Sequence, residues 1–236
     1  MTTIGNNLQR VRQRIDSACQ AAGRNAEDVK LLAVSKTFDA EVVRQAFTAG
    51  QKAFGENYIQ EGVEKITLLR DLGAQWHMIG PIQSNKSRLV AENFDWVHTI
   101  DRLKIAERLA DQRPADLPPL DVCVQVNIDG GASKSGVPPQ EVVTLALAVV
   151  QMPRLRLRGL MAIPDPVEDI DAQRMVHRRM RALFDDIGAL APMSGSGHWD
   201  TLSLGMSGDM EAAILEGSTM VRVGSAIFGA RSYPAH

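Results

Sequence analysis

Trp199-Asp-Thr-Leu-Ser-Leu-Gly-Met-Ser-Gly-Asp-Met-Glu-Ala-Ala-Ile-Leu-Glu-Gly-Ser-Thr-Met-Val-Arg-Val-Gly224 contains two short apolar runs separated by a helix-length segment. The runs, at about 199–205 and 219–224, have strand length, and each ends in glycine and small polar residues that punctuate a chain. The intervening 208–217 segment reads as helix. Strand, helix, strand in so few residues is the unit of a parallel sheet.

Working outward from this unit, the same alternation covers the rest of the chain. Further apolar runs lie at about 29–35, 52–56, 75–79, 94–99, 120–128 and 155–163. Helix-length segments fall at roughly 39–49, 57–70, 83–92, 101–112, 138–151 and 168–189. Eight strands alternating with helices predict a closed α/β barrel, the single (β/α)8 TIM barrel, rather than an open sheet. Ile4, Leu8, Val11 and Ile15 recur at helical spacing before the first strand and predict an extra N-terminal helix. The proline-bearing stretch 111–119 and the small, polar stretch 191–197 read as connecting loops. No repeat beyond the alternation and no linker divides the chain, so residues 1–236 read as one domain.

At 236 residues the chain can bury one substantial core without staples. Its 44% apolar and 23% charged composition is that of an ordinary globular protein, and a formal net charge of −2 speaks against a nucleic-acid binder. Two cysteines, Cys19 and Cys123, make no disulfide framework, which fits a reducing compartment. Cys123 lies inside an apolar run and reads as a buried strand residue. The N-terminus lacks the pattern of a signal peptide, and no apolar run approaches bilayer-spanning length. The expectation is a soluble cytoplasmic protein with no membrane and no nucleic-acid partner.

In such barrels the chemistry sits where strands end. The first run, Val29-Lys-Leu-Leu-Ala-Val-Ser-Lys36, ends on a lysine. At a poorly hydrated barrel mouth its amine becomes nucleophilic toward an aldehyde; in the plainer reading it is a solvated ammonium on the surface. The loops after the seventh and eighth strands commonly form a phosphate site. Here they carry Gly205, Met206, Ser207, Gly208, Gly224 and Ser225, whose backbone and hydroxyl groups suit an anion. Ser207 and Asp209 also suit a helix N-cap, a role compatible with anion docking. Because strand eight pairs with strand one in a closed barrel, Lys36 and the Gly224-Ser225 turn become neighbours. An activated lysine beside a phosphate cup is what a phosphorylated aldehyde requires. Arg222 either leaves strand eight on its inner face and reaches the ligand, or makes a salt bridge on the outer surface. Beside a pyridine nitrogen it would keep that nitrogen unprotonated and weaken the ring as an electron sink.

Other reactive groups carry less. His77 and His98 lack Cys, Asp or Glu at ligand spacing, so they read as hydrogen-bonded strand residues and not metal ligands. The basic stretch 173–181 alternates with Met175, Val176 and Met180, as does the solvated face of an outer helix. Glu56, at the end of the second run, reads either as an acid or base or as the partner of an arginine inside the mouth.

Six segments, Ala33-Val-Ser-Lys-Thr37, Phe54-Gly-Glu-Asn-Tyr-Ile-Gln-Glu61, Trp76-His-Met-Ile-Gly-Pro-Ile-Gln-Ser-Asn-Lys86, Gly159-Leu-Met-Ala-Ile-Pro164, Leu204-Gly-Met-Ser-Gly-Asp209 and Val221-Arg-Val-Gly-Ser-Ala-Ile-Phe-Gly229, resemble the pyridoxal phosphate homeostasis protein family in the same order. The resemblance runs from about residue 5 to residue 233. It implies a monomeric barrel akin to the N-terminal domain of alanine racemase. It also implies binding of pyridoxal 5′-phosphate (PLP) as an imine on Lys36, within vitamin B6 homeostasis. The cofactor contacts it implies are Lys36, Asn57, Met206, Ser207, Arg222, Gly224 and Ser225, with Arg222 facing the pyridine nitrogen. The family pattern after the fifth strand, Asn-x-Ser-x-Glu-x-x-Lys-x-Gly, keeps Asn127, Lys134 and Gly136, while Asp129 and Gly131 replace the serine and the glutamate. Lys134 reads as a contact to cofactor or a second ligand, or as a solvated loop lysine.

Three functions remain open on the residues. The first is a non-catalytic carrier that binds the cofactor, passes it on and makes transient contact with recipient enzymes. The second is an amino-acid racemase, which needs a second proton carrier opposite the first. A second-domain tyrosine does this in alanine racemase, and this chain ends soon after strand eight, leaving Tyr58 and Tyr233. The third is an aldolase-like enzyme on a phosphorylated metabolite.

Overall fold

Lys30 pairs with Met220, Leu31 with Val221, Leu32 with Arg222 and Ala33 with Val223, so the first and last strands run side by side in parallel. This pairing closes eight parallel strands into a barrel in sequence order. The computed structural model describes residues 3–131, 134–195 and 197–229. The strands are β1 (Lys30–Val34), β2 (Ala53–Glu56), β3 (Gln75–Met78), β4 (Trp96–Ile100), β5 (Leu120–Gln125), β6 (Leu155–Met161), β7 (Thr201–Ser203) and β8 (Met220–Val223). Each falls within one of the runs expected from sequence or ends one residue beyond it. The intervening helices are α2 (Ala40–Thr48), α3 (Ile59–Leu68), α4 (Ser87–Asn93), α5 (Leu103–Gln112), α6 (Pro139–Val149), α7 (Ile170–Gly188) and α9 (Met210–Leu215). The expected N-terminal helix is α1 (Thr3–Ala21), and a short α10 (Ser225–Phe228) follows β8. The 191–197 stretch, read as loop, contains a helical turn, α8 (Ala191–Ser194). Pro192 fits there because the first helical turn needs no N–H from it.

Alternation along each strand separates two apolar sets. Outward residues such as Ala33, Phe54, Val97, Val122, Leu160 and Val223 pack in the layer between strands and helices. Inward residues fill the barrel from two sides, Leu32, Ile79 and Met220 on one and Trp96, Cys123 and Met161 on the other. A fully buried large aliphatic or aromatic side chain contributes about 1.5–3 kcal/mol. Cys123 is fully buried and its thiol is pushed well up by desolvation, as befits a packing residue.

The floor of the barrel is ionic. Asp121 pairs with Arg156 and Arg158, and Arg158 reaches on to Asp200 while stacking over Trp96. The helices follow amphipathic logic. In α7, His177, Met180, Phe184 and Ile187 face inward, while Arg174 and Arg178 pair with Glu216 and Arg181 pairs with Asp185. The basic stretch is thus a solvated, ion-paired face. Buried Leu8, Val11, Ile15, Ala18 and Cys19 seat α1 against α2, α9 and α10. No helix among the described residues is long and apolar enough to cross a membrane.

Candidate functional site: the carboxyl-end mouth

Lys36 lies two residues beyond β1, on the inward parity of Leu32 and Val34. Phe38 N–H donates to Ser35 O (3.1 Å), closing a turn with Lys36 and Thr37 at its centre. Thr37 adopts φ 68°, the one positive φ at a non-glycine position among the described residues. A positive φ at the third turn position defines type II geometry, which prefers glycine. A β-branched residue there costs about 1–2 kcal/mol.

Neighbouring groups hold the strained turn in place. Lys65, on α3 and nearly buried, donates to Ser35 O (2.7 Å), Glu56 Oε1 (2.9 Å) and Glu61 Oε1 (2.6 Å). Thr37 N–H donates to the same Glu61 Oε1 (2.5 Å), and Ser35 Oγ donates to Glu56 Oε1 (2.6 Å). Glu56 therefore pairs with a lysine, not with the arginine considered from sequence: α3 places Lys65 over the end of β2, whereas Arg222 is engaged elsewhere. Desolvation raises the Glu56 pKa despite Lys65 and Ser35. Asn57, next along, has a buried Oδ1 without a hydrogen-bond partner. Its backbone is crowded against Gly80, where a Cβ would stand 2.0 Å from Asn57 O.

Arg222 points into the barrel, 4% exposed, so the outer salt bridge is excluded. Its Nη1 donates to Ser203 O and Ser203 Oγ (both 2.7 Å) and its Nη2 to Ala162 O (2.8 Å). Ser203 Oγ lies 3.1 Å from His98 Nδ1, His98 Nε2 lies 2.9 Å from His77 Nδ1, and His77 Nε2 lies 3.1 Å from Gln75 Oε1. An arginine only donates. Gln75 Oε1 only accepts, so His77 Nε2–H donates to it, His98 Nε2–H to His77 Nδ1, and Ser203 Oγ–H to His98 Nδ1, which leaves the Ser203 oxygen as acceptor for Arg222. The two histidines are the hydrogen-bonded strand residues expected, with their ring N–H groups directed toward Gln75. Burial, with Arg222 nearby, holds His98 neutral with a pKa of about 3, and burial likewise depresses His77. Desolvation lowers Arg222 to about 10, which leaves it charged at neutral pH.

Across the mouth, β1–β8 register carries Val34 alongside Gly224; a Cβ on Gly224 would stand 3.1 Å from Val34 O. Ile227 and Phe228 N–H both donate to Gly224 O, so the N–H groups of Ser225 and Ala226 open the helical turn and precede its ladder. The loop after β7 is pinned from three directions. Arg222 N–H donates to Gly205 O (2.9 Å), Arg14 of α1 donates to Ser207 O (3.0 Å), and Met206 N–H donates to Asp209 Oδ1 (2.6 Å). Asp209 Oδ2 in turn lies 3.0 Å from His177 Nε2. Burial works to raise the Asp209 carboxyl, but the His177 and Met206 hydrogen bonds outweigh it and lower the pKa. Asp209 precedes α9 without capping it by side chain.

Lys36, Asn57, Arg222, Gly224 and Ser225 thus converge at one mouth, and the loop bearing Met206 and Ser207 is tied to β8 beside them. Lys134 instead pairs with Asp129 (2.9 Å) and Asp165 (2.8 Å). Asp129, the departure from the family pattern, also accepts from Asp165 N–H, so it bridges the loops after β5 and β6. Tyr58 is 57% exposed; Tyr233 lies outside the described residues. Sequence reasoning missed Glu61, Lys65, Ser203, Arg14 and His177. The i,i+4 spacing of Glu61 and Lys65 was the one local signal.

The model of the alanine racemase N-terminal domain family matches residues 6–232. The chain is 57% identical over 236 residues to the pyridoxal phosphate homeostasis protein of Escherichia coli K12, with 99% of each chain covered. It belongs to the pyridoxal phosphate homeostasis protein family. A second homeostasis protein, from Pseudomonas aeruginosa PAO1, is 56% identical over 235 residues, covering 100% of this chain and 99% of the relative. Among solved structures, PipY of Synechococcus elongatus with PLP bound superposes with a TM-score of 0.80 at 30% identity, covering 96% of this chain and 100% of that one. Two features of this chain's mouth fit the homeostasis family's ligand. Asn57 Oδ1 is an unpartnered buried acceptor, suited to a ring hydroxyl. Gly224 lets the backbone after β8 pack closely against Val34 of the lysine strand.

Proposed function

We propose that this protein binds PLP reversibly as an imine on Lys36 and serves intracellular cofactor homeostasis and delivery without turning over a substrate. The observation that carries this reading is the β1–β8 register, which runs the end of the lysine-bearing strand alongside Gly224. The names of the curated relatives and the bound PLP in PipY support it.

PLP is cargo here. The unprotonated Lys36 amine adds to the aldehyde carbon, and loss of water leaves a C=N bond where C=O stood; water reverses the step and releases the cargo. Ser207, with the backbone at Gly224 and Ser225, holds the phosphate, and Met206 and Asn57 line the ring. Arg222, a donor held charged, faces the pyridine nitrogen and keeps it from acting as a strong electron sink. A racemase needs a second proton carrier, and Tyr58 is largely in solvent. The protein acts as a cytoplasmic monomer that meets recipient enzymes transiently.

The test is the visible spectrum of purified wild type and Lys36→Ala after incubation with PLP, followed by borohydride reduction and intact mass. A yellow wild type, a colourless variant and a reduced adduct mapped to Lys36 are expected. A colourless wild type without mass gain would sink the reading and favour an enzyme acting on a phosphorylated metabolite.

A further inference from the structure

We propose that Glu61 and Lys65 of α3 are positioning residues, which grip the backbone on both sides of Lys36 and hold the strained turn that presents its amine. The proposal rests on the imine reading above and adds residues that do not touch the ligand.

Lys36 has one peptide group on each side, and α3 reaches both. Ser35 O, before it, accepts from Lys65 Nζ at 2.7 Å. Thr37 N–H, after it, donates to Glu61 Oε1 at 2.5 Å. The two α3 side chains are one helical turn apart and bonded to each other at 2.6 Å, so the grip is a single ion pair. It is anchored below by Glu56, fully buried at the end of β2, which bonds both Lys65 and Ser35. The conformation it fixes is one the sequence disfavours, since Thr37 at φ 68° occupies a position suited to glycine. Strained backbone persists where its surroundings over-determine it; here those surroundings are Ser35, Glu56, Glu61 and Lys65. With the grip removed, Thr37 relaxes toward negative φ and the Lys36 stem swings away from the Gly224-Ser225 turn. Lys65 itself is no second imine lysine. Its ammonium makes three hydrogen bonds and its side chain is 6% exposed, so no lone pair is presented to the mouth.

The experiment compares wild type, Glu61→Ala, Glu61→Gln, Thr37→Gly and the double variant Glu61→Ala/Thr37→Gly. Each is mixed with PLP, and the rate and affinity of imine formation are read from the visible band, with the urea midpoint measured alongside. Misplacement by about 1 Å can slow a reaction up to a hundredfold, so Glu61→Ala is expected to form the imine roughly tenfold or more slowly. Glu61→Gln, which keeps an acceptor for Thr37 N–H, is expected to fall between Glu61→Ala and wild type. Thr37→Gly accepts positive φ without strain, so it should leave the wild-type rate within about twofold and recover most of the loss in the double variant. A purely structural role for Glu61 would lower the urea midpoint without that rescue. Imine formation at the wild-type rate in Glu61→Ala overturns the proposal, as does a loss that Thr37→Gly fails to relieve. If Glu61→Ala does not fold, Glu61→Gln with and without Thr37→Gly answers the same question. A wild type with no adduct on Lys36 defeats the imine reading itself, and this proposal with it; an adduct on Lys36 in wild type, unaffected by Glu61→Ala, defeats the proposal alone.

Discussion

The two sides of the mouth are built from different materials. On the lysine side, at the ends of β1 and β2, shape is held by charge: buried Glu56 and Lys65 and half-buried Glu61 bracket a turn whose backbone is strained. On the side proposed for the phosphate, after β7 and β8, shape is held mainly by backbone: glycines, a short helical turn, and main-chain groups of Gly205, Met206 and Ser207 fastened by Arg222, Asp209 and Arg14. The difference suits the chemistry proposed for each side. An anion is met by many N–H dipoles that need only be close, so backbone suffices. A single amine must meet one carbon at the right angle, which calls for a fixed stem.

The most damaging test of this contrast lies at Gly80. Its Cβ would stand 2.0 Å from Asn57 O, a backbone atom that cannot move aside without shifting the end of β2. Gly80→Ala is expected to destabilise the protein by about 3 kcal/mol or more, by overpacking and strain, and to weaken PLP binding. Urea denaturation and a binding titration check both; a neutral variant would mean that the β2–β3 approach is slack.

pH separates the two sides with opposite signs. Glu56 has a raised pKa, chiefly from desolvation, so its folded state binds the proton more tightly than the unfolded one. Its stability contribution is greatest below the unfolded value of about 4.3 and falls as pH rises through the folded pKa. Asp209 has a lowered pKa: burial opposes ionisation, but the bonds to His177 and Met206 N–H prevail. Its contribution is present above about 3.9 and is lost as pH falls through the folded pKa. Urea midpoints between about pH 3 and pH 8 should therefore show the advantage of wild type over Glu56→Gln shrinking upward, and that over Asp209→Asn shrinking downward. Parallel trends would break the contrast.

The smallest effect is expected at Arg14, whose pairing with Glu211 is part exposed. Arg14→Ala should cost about 0–1 kcal/mol in stability and loosen the Ser207 loop, lowering PLP affinity a few-fold while leaving the imine spectrum unchanged. A changed spectrum would show that the two sides are coupled.

The barrel itself was legible in the chain. Apolar runs at even spacing give eight strands, because period-two burial and intervening helical periodicity are local properties that survive in one dimension. The approach of the end of β1 to Gly224 was legible too, since closure makes strand eight the neighbour of strand one. The 191–197 stretch misled because its small, polar composition hides a helical turn that its packing supports, with Met193 buried. Lys65 and Glu61 carry no mark in the sequence beyond their i,i+4 spacing; only the packing of α3 over the end of β2 turns them onto Ser35 and Thr37. His77, His98, Ser203 and Arg222 come from four strands, and nothing along the chain links them into one directed series of hydrogen bonds. The sequence by itself determined which residues are strand, helix and reactive end, because those depend on near neighbours. Tertiary structure alone decided the Lys65 grip, the histidine tautomers and the strain at Thr37, because each depends on groups that meet only when the barrel closes and its helices pack.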